Sequence, residues 1–355
     1  MDMQRILLTC RAGFESDLAA EVQQRSLEHG VHGFVRARPD TGFVEFQGHD
    51  SDAGNQLLTR MPFSDWVFAR QWLGVMAHWP QLDTRDRVTP VARLAGAEPR
   101  GFRELWLSFP DTNEGKSLSR LTRKLSRPLR QALAPQLQRP TSPWRLHLFF
   151  TSGSELWLGV TPVANGAPWV LGYPRLRMPT SAPSRSTLKL EEAWLQLIPD
   201  AGRPEWLQPF QRAVDLGAAP GGWTWQLVQR GLQVIAVDNG PMDPALMASG
   251  QVEHRREDAF TFRPRRPVDW LVCDMVEKPA RVADLMARWL SRGWCRYAIF
   301  NLKLPMKRRW QALQEILPHV RQALDSAGLN HRLAVKQLYH DREEVTVLAA
   351  PDWRC

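Results

Sequence analysis

Residues 213–238, AVDLGAAPGGWTWQLVQRGLQVIAVD, decide how the chain is read. Two apolar runs ending in an acid bracket this stretch, AVD at Asp215 and VIAVD at Asp238, and a third, WLVCD, ends at Asp274. Helical segments lie between them. Uninterrupted apolar strands alternating with helices point to a parallel sheet covered on both faces, whose ligands gather at the carboxyl ends of the strands. Acids stationed there repeatedly read as ligand contacts, although any one of them could equally cap the next helix. Between the first two runs, Gly217, Gly221 and Gly222 permit a tight turn that brings backbone amides close to a ligand just before a helix begins near Trp223. The spacing departs from GxGxxG, which weakens a nicotinamide dinucleotide reading. Asp238 stands where an acid accepts hydrogen bonds from the ribose hydroxyls of an adenosine-containing cofactor.

The chain around this segment has 355 residues, enough for two or three domains. With 43% hydrophobic and 23% charged residues it has a globular composition, and no window approaches the roughly 18 apolar residues that span a bilayer. The amino end, MDMQRILLTCRAGFESDL, meets charged residues before any signal-like apolar stretch, so neither secretion nor membrane insertion is expected and the expected compartment is the cytoplasm. Cys10, Cys273, Cys295 and Cys355 are far apart, without CxxC or Cys/His pairing, and read as reduced thiols rather than a zinc site or a disulfide framework. No metal is expected. A net charge of +9 favours an anionic partner, nucleic acid first and an acidic membrane surface second. Only 7 of the 46 cations are Lys, a bias toward Arg that weakens the charge argument and makes each Lys more informative. The sixteen tryptophans sit mostly among Leu, Val and Ala and read as core.

Upstream, residues 1–80 alternate strand-like QRILLTC, helical FESDLAAEVQQRSLEHG, then FVRARPD and TGFVEFQG, a small α+β module. Residues 81–165 read as a second α+β module, with strands in RELWLSFP, WRLHLFF and SELWLGV around one helix. That helix places Leu118, Leu121, Leu125, Leu129 and Ala132 on one face and Arg120, Arg123, Lys124, Arg127 and Arg130 on the other, with Pro128 expected to kink or shorten it. The basic stripe suits a phosphate backbone, and a solvated helix face explains it equally. Residues 166–185, rich in proline, read as an interdomain linker, and the last domain spans 186–355. It opens with an amphipathic helix in which Leu190, Ala193, Trp194, Leu197 and Ile198 share a face and Lys189 occupies the first turn.

The string DLGAAPGGW resembles the cofactor loop of the FtsJ-like ribose 2'-O-methyltransferases. Such a resemblance implies S-adenosylmethionine bound on a Rossmann-like seven-stranded sheet whose last strand runs antiparallel. It also implies a Lys-Asp-Lys-Glu tetrad, whose positions here are Lys189 in SRSTLKLEE, Asp274 in LVCDM, Lys303 in IFNLKLP and Glu344 in REEVTVL. Glu343 precedes Glu344, and the family's Glu-Val pattern points to Glu344. Over its full length, from TCRAGFESDLAAE to HDREEVTVL, the chain is similar to the bacterial RlmM-type methyltransferases, with a ferredoxin-like module and a THUMP-like RNA-binding module ahead of the catalytic domain. That similarity implies a cytidine ribose in large-subunit ribosomal RNA as substrate, and nothing in it calls for an obligate protein partner. The cofactor contacts it implies are Ser186, Ala219, Pro220, Gly221, Gly222, Asp238 at the ribose, Asp258 beside the adenine, and Asp274.

The chemistry of the residues agrees with this. A ribose hydroxyl is a poor nucleophile at neutral pH, and a base that accepts its proton as the methyl group arrives assists the transfer. Lysine serves if its pKa falls, whereas arginine stays protonated, which singles out Lys303. A second cation, Lys189, would depress the Lys303 ammonium while Asp274 and Glu344 would oppose that, and the sequence leaves open which prevails. Taken alone, Lys189 and Lys303 could be surface lysines and Glu344 a strand-edge charge. Beyond Lys303, Lys307, Arg308, Arg309 and Trp310 suit phosphate contact and base stacking, or equally a basic helix start with Trp310 in the core. Three rivals remain: a base methyltransferase, which would carry an Asn/Asp-Pro-Pro-Tyr loop or a nucleophilic Cys where this chain has Asp274-Met275-Val276-Glu277; an RNA-binding assembly factor; and a dinucleotide oxidoreductase.

Overall fold

Short amphipathic strands and two-faced helices in the amino-terminal half assemble a sheet, whose elements a computed structural model describes for residues 3–137, 139–198 and 203–352. In order they are β1 (Arg5–Thr9), α1 (Glu15–Glu28), β2 (Gly33–Ala37), β3 (Phe43–Gly48), α2 (Ala53–Arg60), β4 (Gln71–Trp79), α3 (Thr89–Gly96), β5 (Glu104–Ser108), α4 (Asn113–Ser117), α5 (Ser119–Ala132), α6 (Ala134–Leu137), β6 (Trp144–Phe150) and β7 (Leu156–Pro162). The sheet order is β2-β3-β1-β4-β7-β6-β5, with only β5 and β6 parallel. Strand β4, absent from the sequence reading, pairs with β1 on one edge (Leu8 opposite Trp72) and with β7 on the other (Gly74 opposite Val160). Residues 1–80 and 81–165, read as two modules, therefore share one continuous sheet.

The unit built on it runs to Tyr173, and the second begins at Pro174. Part of the presumed linker thus belongs to the first unit: the Ala167 carbonyl accepts hydrogen bonds from Gln71 Nε2 (3.2 Å) and Arg145 Nη1 (3.1 Å), which pins the chain to the sheet. Helix α5 shows the expected stripe, with Arg120, Arg123, Lys124, Arg127 and Arg130 exposed. Pro128 does not shorten it, and Leu133 rather than the exposed Ala132 is buried beside Leu129 at its end.

The second unit contains α7 (Thr187–Leu197), α8 (Arg203–Trp206), β8 (Arg212–Leu216), α9 (Gly222–Val228), β9 (Gln233–Val237), α10 (Pro244–Met247), β10 (Val252–Arg255), β11 (Val268–Cys273), α11 (Pro279–Ser291), β12 (Cys295–Lys303), α12 (Arg309–Ser326), β13 (His331–Lys336) and β14 (Glu344–Pro351). Its seven strands run in the order β10-β9-β8-β11-β12-β14-β13. The first five are mutually parallel and β14 is antiparallel to both neighbours. This is the FtsJ-like methyltransferase fold expected from the sequence.

Side chains alternate across such strands. Trp270, Val272, Tyr297, Ile299, Leu348 and Ala350 form one buried cluster with Leu190, Ala193, Trp194 and Leu197 of α7 and Trp223 and Leu227 of α9. Continuing that alternation to the carboxyl ends of β11 and β12 aims Asp274, Asn301 and Lys303 along the same face, toward the first turn of α7. Cys10, Cys273 and Cys295 are free and buried, and Cys355 lies outside the described residues. Among the described residues, no helix is long and apolar enough to cross a membrane.

Trp270 is fully buried, donates Nε1–H to the Trp206 carbonyl (2.8 Å), and lies 4.8 Å from the Tyr297 ring centre. Trp270→Ala is expected to destabilise this unit by about 3–5 kcal/mol in urea unfolding. A loss below about 1 kcal/mol would mean that the ring does not anchor the sheet.

Candidate active site

In an open parallel sheet a crevice lies outside the carboxyl ends of the strands where the strand order reverses, here between β8 and β11, and the turn from β8 into α9 stands at its edge. Gly217 takes φ +78°, and a Cβ there would lie 2.4 Å from Met275 Cγ. Gly221 takes φ +115°, open to glycine and strained for other residues. At Gly222 a Cβ would fall 2.2 Å from Ser186 Oγ and 2.3 Å from Ser184 Oγ, so that glycine lets the segment before α7 close on the turn. Ser186 Oγ is 2.7 Å from Ser184 Oγ, and the Ser186 carbonyl accepts from Trp223 Nε1 at 3.0 Å.

Asp238, just past β9, locks the turn from the other side. Its Oδ2 accepts from the Ala219 amide (3.0 Å) and its Oδ1 from the Gly240 amide (2.7 Å). Each oxygen keeps a lone pair for a further donor. Asp258 is exposed beyond β10, and its Oδ1 accepts from the Phe260 amide at 2.9 Å. Asp215 differs from the other strand-end acids. It is buried, accepts from Thr224 Oγ1 at 2.6 Å, and is pushed up to about 7 by burial, so it serves the interior of the sheet rather than the crevice.

Lys189, Asp274, Lys303 and Glu344 converge at the crevice. Lys303 Nζ donates to Asp274 Oδ1 at 3.1 Å, and Lys189 Nζ donates to Asp274 Oδ2 at 3.2 Å. Glu344 pairs with both lysines, through Oε1 to Lys189 and Oε2 to Lys303. Strand register explains the last contact, because Lys303 and Glu344 are directly opposite in the β12–β14 ladder. The Lys303 side chain is 27% exposed, against 4% for Glu344, so it is the lysine closer to solvent and Glu344 the carboxylate behind it. Burial pulls Lys303 below the ordinary lysine value; Asp274 opposes this and Lys189 adds to it.

Glu343 is turned elsewhere: it accepts from Arg309 Nε at 2.9 Å. Of the two readings of this segment the structure selects the basic helix start with Trp310 in the core, since Arg309 and Trp310 are both buried, while Lys307 and Arg308 are exposed. Cys273 is buried and its thiol is pushed up to about 12 by burial, which denies it a thiolate's nucleophilicity at neutral pH. Three residues beside the tetrad escaped the sequence reading. Asn301 Nδ2 donates to Asp274 Oδ1 at 2.8 Å, Thr346 Oγ1 donates to Asn301 Oδ1 at 2.7 Å, and Asp341 Oδ2 lies 3.1 Å from Thr346 Oγ1. The signal was an amide inside the apolar run YAIFNL, two positions before Lys303 and so on its face.

Comparison with known proteins covers the same ground. Residues 3–73 match the RlmM ferredoxin-like domain, 86–161 the N-terminal region of ribosomal RNA large subunit methyltransferase M, and 182–322 the FtsJ-like methyltransferase family. Proteins named ribosomal RNA large subunit methyltransferase M are similar throughout. The one from Cellvibrio japonicus is 49% identical over 97% of this chain and 98% of its own. For that from Edwardsiella ictaluri the values are 48%, 99% and 95%, and for that from Escherichia coli O127:H6 they are 46%, 99% and 97%.

Asp215 generates a pH prediction. Its value is about 7 in the folded chain against an ordinary 3.8, so its contribution to stability is complete below 3.8 and is lost as pH rises through about 7. Asp215→Asn lacks this loss. The variant's stability relative to the parent is expected to rise between those two pH values and level off above, by urea unfolding at a series of pH values. A flat difference would contradict the burial of an ionisable acid there.

Proposed function

The chain belongs to the ribosomal RNA large subunit methyltransferase M family, and from that premise we propose that it methylates the ribose 2'-hydroxyl of a cytidine in large-subunit ribosomal RNA, using S-adenosylmethionine and Lys303 as general base. It is an RNA methyltransferase by family, and the convergence of Lys189, Asp274, Lys303 and Glu344 carries the finer reading.

The crevice fits the cofactor. Its glycine turn packs closely on Met275 and on Ser184 and Ser186, and the two amide-held oxygens of Asp238 present lone pairs suited to a vicinal diol. Ser186, Ala219, Pro220, Gly221, Gly222, Asp238, Asp258 and Asp274 would hold it. When bound, it would supply a methyl group on a sulfonium, an electrophilic carbon.

The protein's own work concerns one proton. A neutral Lys303 Nζ accepts it from the 2'-hydroxyl as the oxygen gains the methyl group, and afterwards passes it to solvent. Burial and the Lys189 charge favour the neutral amine, while Asp274 and Glu344 fix its direction and stabilise the ammonium once formed. The basic face of α5 supports an RNA partner. Arg130 is tied to the Leu105 carbonyl at 2.9 Å, and Arg120, Arg123, Lys124 and Arg127 stand exposed along the same helix. Lys307 and Arg308 add exposed cations one turn of chain past Lys303.

Lys303→Ala is expected to lower methyl transfer from labelled cofactor to unmodified large-subunit RNA by about 10²- to 10⁴-fold while calorimetric cofactor affinity stays near the parent's. Undiminished transfer would remove the base assignment, and mapping the label to a base rather than a ribose by nuclease digestion and mass spectrometry would remove the ribose reading. Replacing Arg123, Lys124 and Arg127 by Gln should flatten the log–log salt dependence of RNA binding by about 2–3. An unchanged slope would exclude α5 from the RNA contact.

A further inference from the structure

Asn301 and Thr346 are fully buried polar residues in the middle of a sheet, directly opposite one another in the β12–β14 ladder. A buried amide and hydroxyl in such a place are unfavourable unless every hydrogen bond is made, and the bonds they make lead to the tetrad. Asn301 Nδ2 donates to Asp274 Oδ1 at 2.8 Å. The opposite rotamer would set the amide carbonyl against the carboxylate and the amide N–H against the Thr346 hydroxyl proton, so Asp274 and Thr346 together fix the amide's orientation. Its Oδ1 then takes the single hydroxyl proton of Thr346 at 2.7 Å. Asp341 Oδ2, which accepts from the Leu338 amide at 3.0 Å, lies 3.1 Å from the same hydroxyl as a second acceptor, so Thr346 is held between Asn301 and Asp341.

We propose that Asn301, oriented by Thr346, is a positioning residue that holds the Asp274 carboxylate and loosens its grip on the Lys303 proton. This inference rests on the reading of Lys303 as the base. Oδ1 of Asp274 is shared between Asn301 at 2.8 Å and Lys303 at 3.1 Å. A neutral donor on that oxygen stabilises its negative charge without consuming a proton, so the carboxylate stabilises the Lys303 ammonium less. The other charges around Lys303 are Lys189 from α7, Glu344 from β14 and Asp341 from the segment before it, with Lys336 opposite Thr346 on β13. Removing the amide leaves them in place and returns the full charge of Asp274 to the lysines.

The test uses Asn301→Ala, Thr346→Val, Thr346→Ser and the Asn301→Ala/Thr346→Val double variant in the full chain, each checked by thermal melting. Steady-state methyl transfer to unmodified large-subunit RNA is measured across pH. Asn301→Ala and Thr346→Val are expected to lower kcat roughly 10- to 100-fold with little change in KM, and to move the rising limb of the pH–rate profile to higher pH. Thr346→Ser restores both, and the double variant is no slower than Asn301→Ala, because the two residues act through one chain of bonds. A folded Asn301→Ala enzyme whose limb has not moved, or a double variant showing the two losses multiplied, overturns the proposal. Should Asn301→Ala fail to fold, the Thr346→Val and Thr346→Ser pair decides, and coincident limbs overturn it. Lys303→Ala separates the two levels: if that variant is inactive and the Asn301→Ala limb has not moved, only the relay falls, whereas an active Lys303→Ala enzyme removes the base itself.

Discussion

The antiparallel pairing of β14 with β12 is the constraint on which the site depends. It sets Lys303 opposite Glu344 and Asn301 opposite Thr346, with both pairs on the face that α7 covers. Because side chains alternate along a strand, a slip of one residue would carry Glu344 to the opposite face and bring Glu343 or Val345 to its place. Buried Val345 and Val347 on one side, and Leu348 in the cluster with α7 and α9 on the other, make such a slip unfavourable. The apolar register of the last strand is therefore also what sets the Glu344 carboxylate against Lys303.

Two amines and two carboxylates in partial burial form an arrangement whose desolvation opposes its attraction. Here the charges are balanced in number, and each carboxylate meets both lysines, so none is left alone. The balance is not symmetric in exposure. Lys303 faces solvent most, Glu344 least, and Asp274 carries an extra amide donor.

Much of this was legible in the residues. Apolar runs ending in Asp215, Asp238 and Asp274 gave the parallel strands, the glycines marked the tight turn from β8 into α9, and resemblance named four residues whose side chains the fold brings together, Glu344 rather than Glu343 among them. What escaped has physical reasons. Strand β4, QWLGVMAHW, is buried along its first five residues and carries an irregular register at Val75 and Ala77, so it shows neither clean alternation nor a helical period. Arg309 looked like a phosphate ligand because a charge pattern says nothing of a partner 34 positions away, and Glu343 is that partner. Asp215 looked like its two companions, and only tertiary packing shows that Thr224 and burial draw it inward.

The placement of β4 has a consequence for biosynthesis. Its second partner, β7, lies more than 75 residues downstream, so the emerging chain cannot complete the central pairing until Pro162 has left the ribosome. For that interval β4 is an apolar edge with unpaired amides and carbonyls, the kind of surface that recruits foreign strands. Translation pace through residues 80–162, and any chaperone that shields a nascent edge, would therefore bear on how much of the chain reaches its finished sheet.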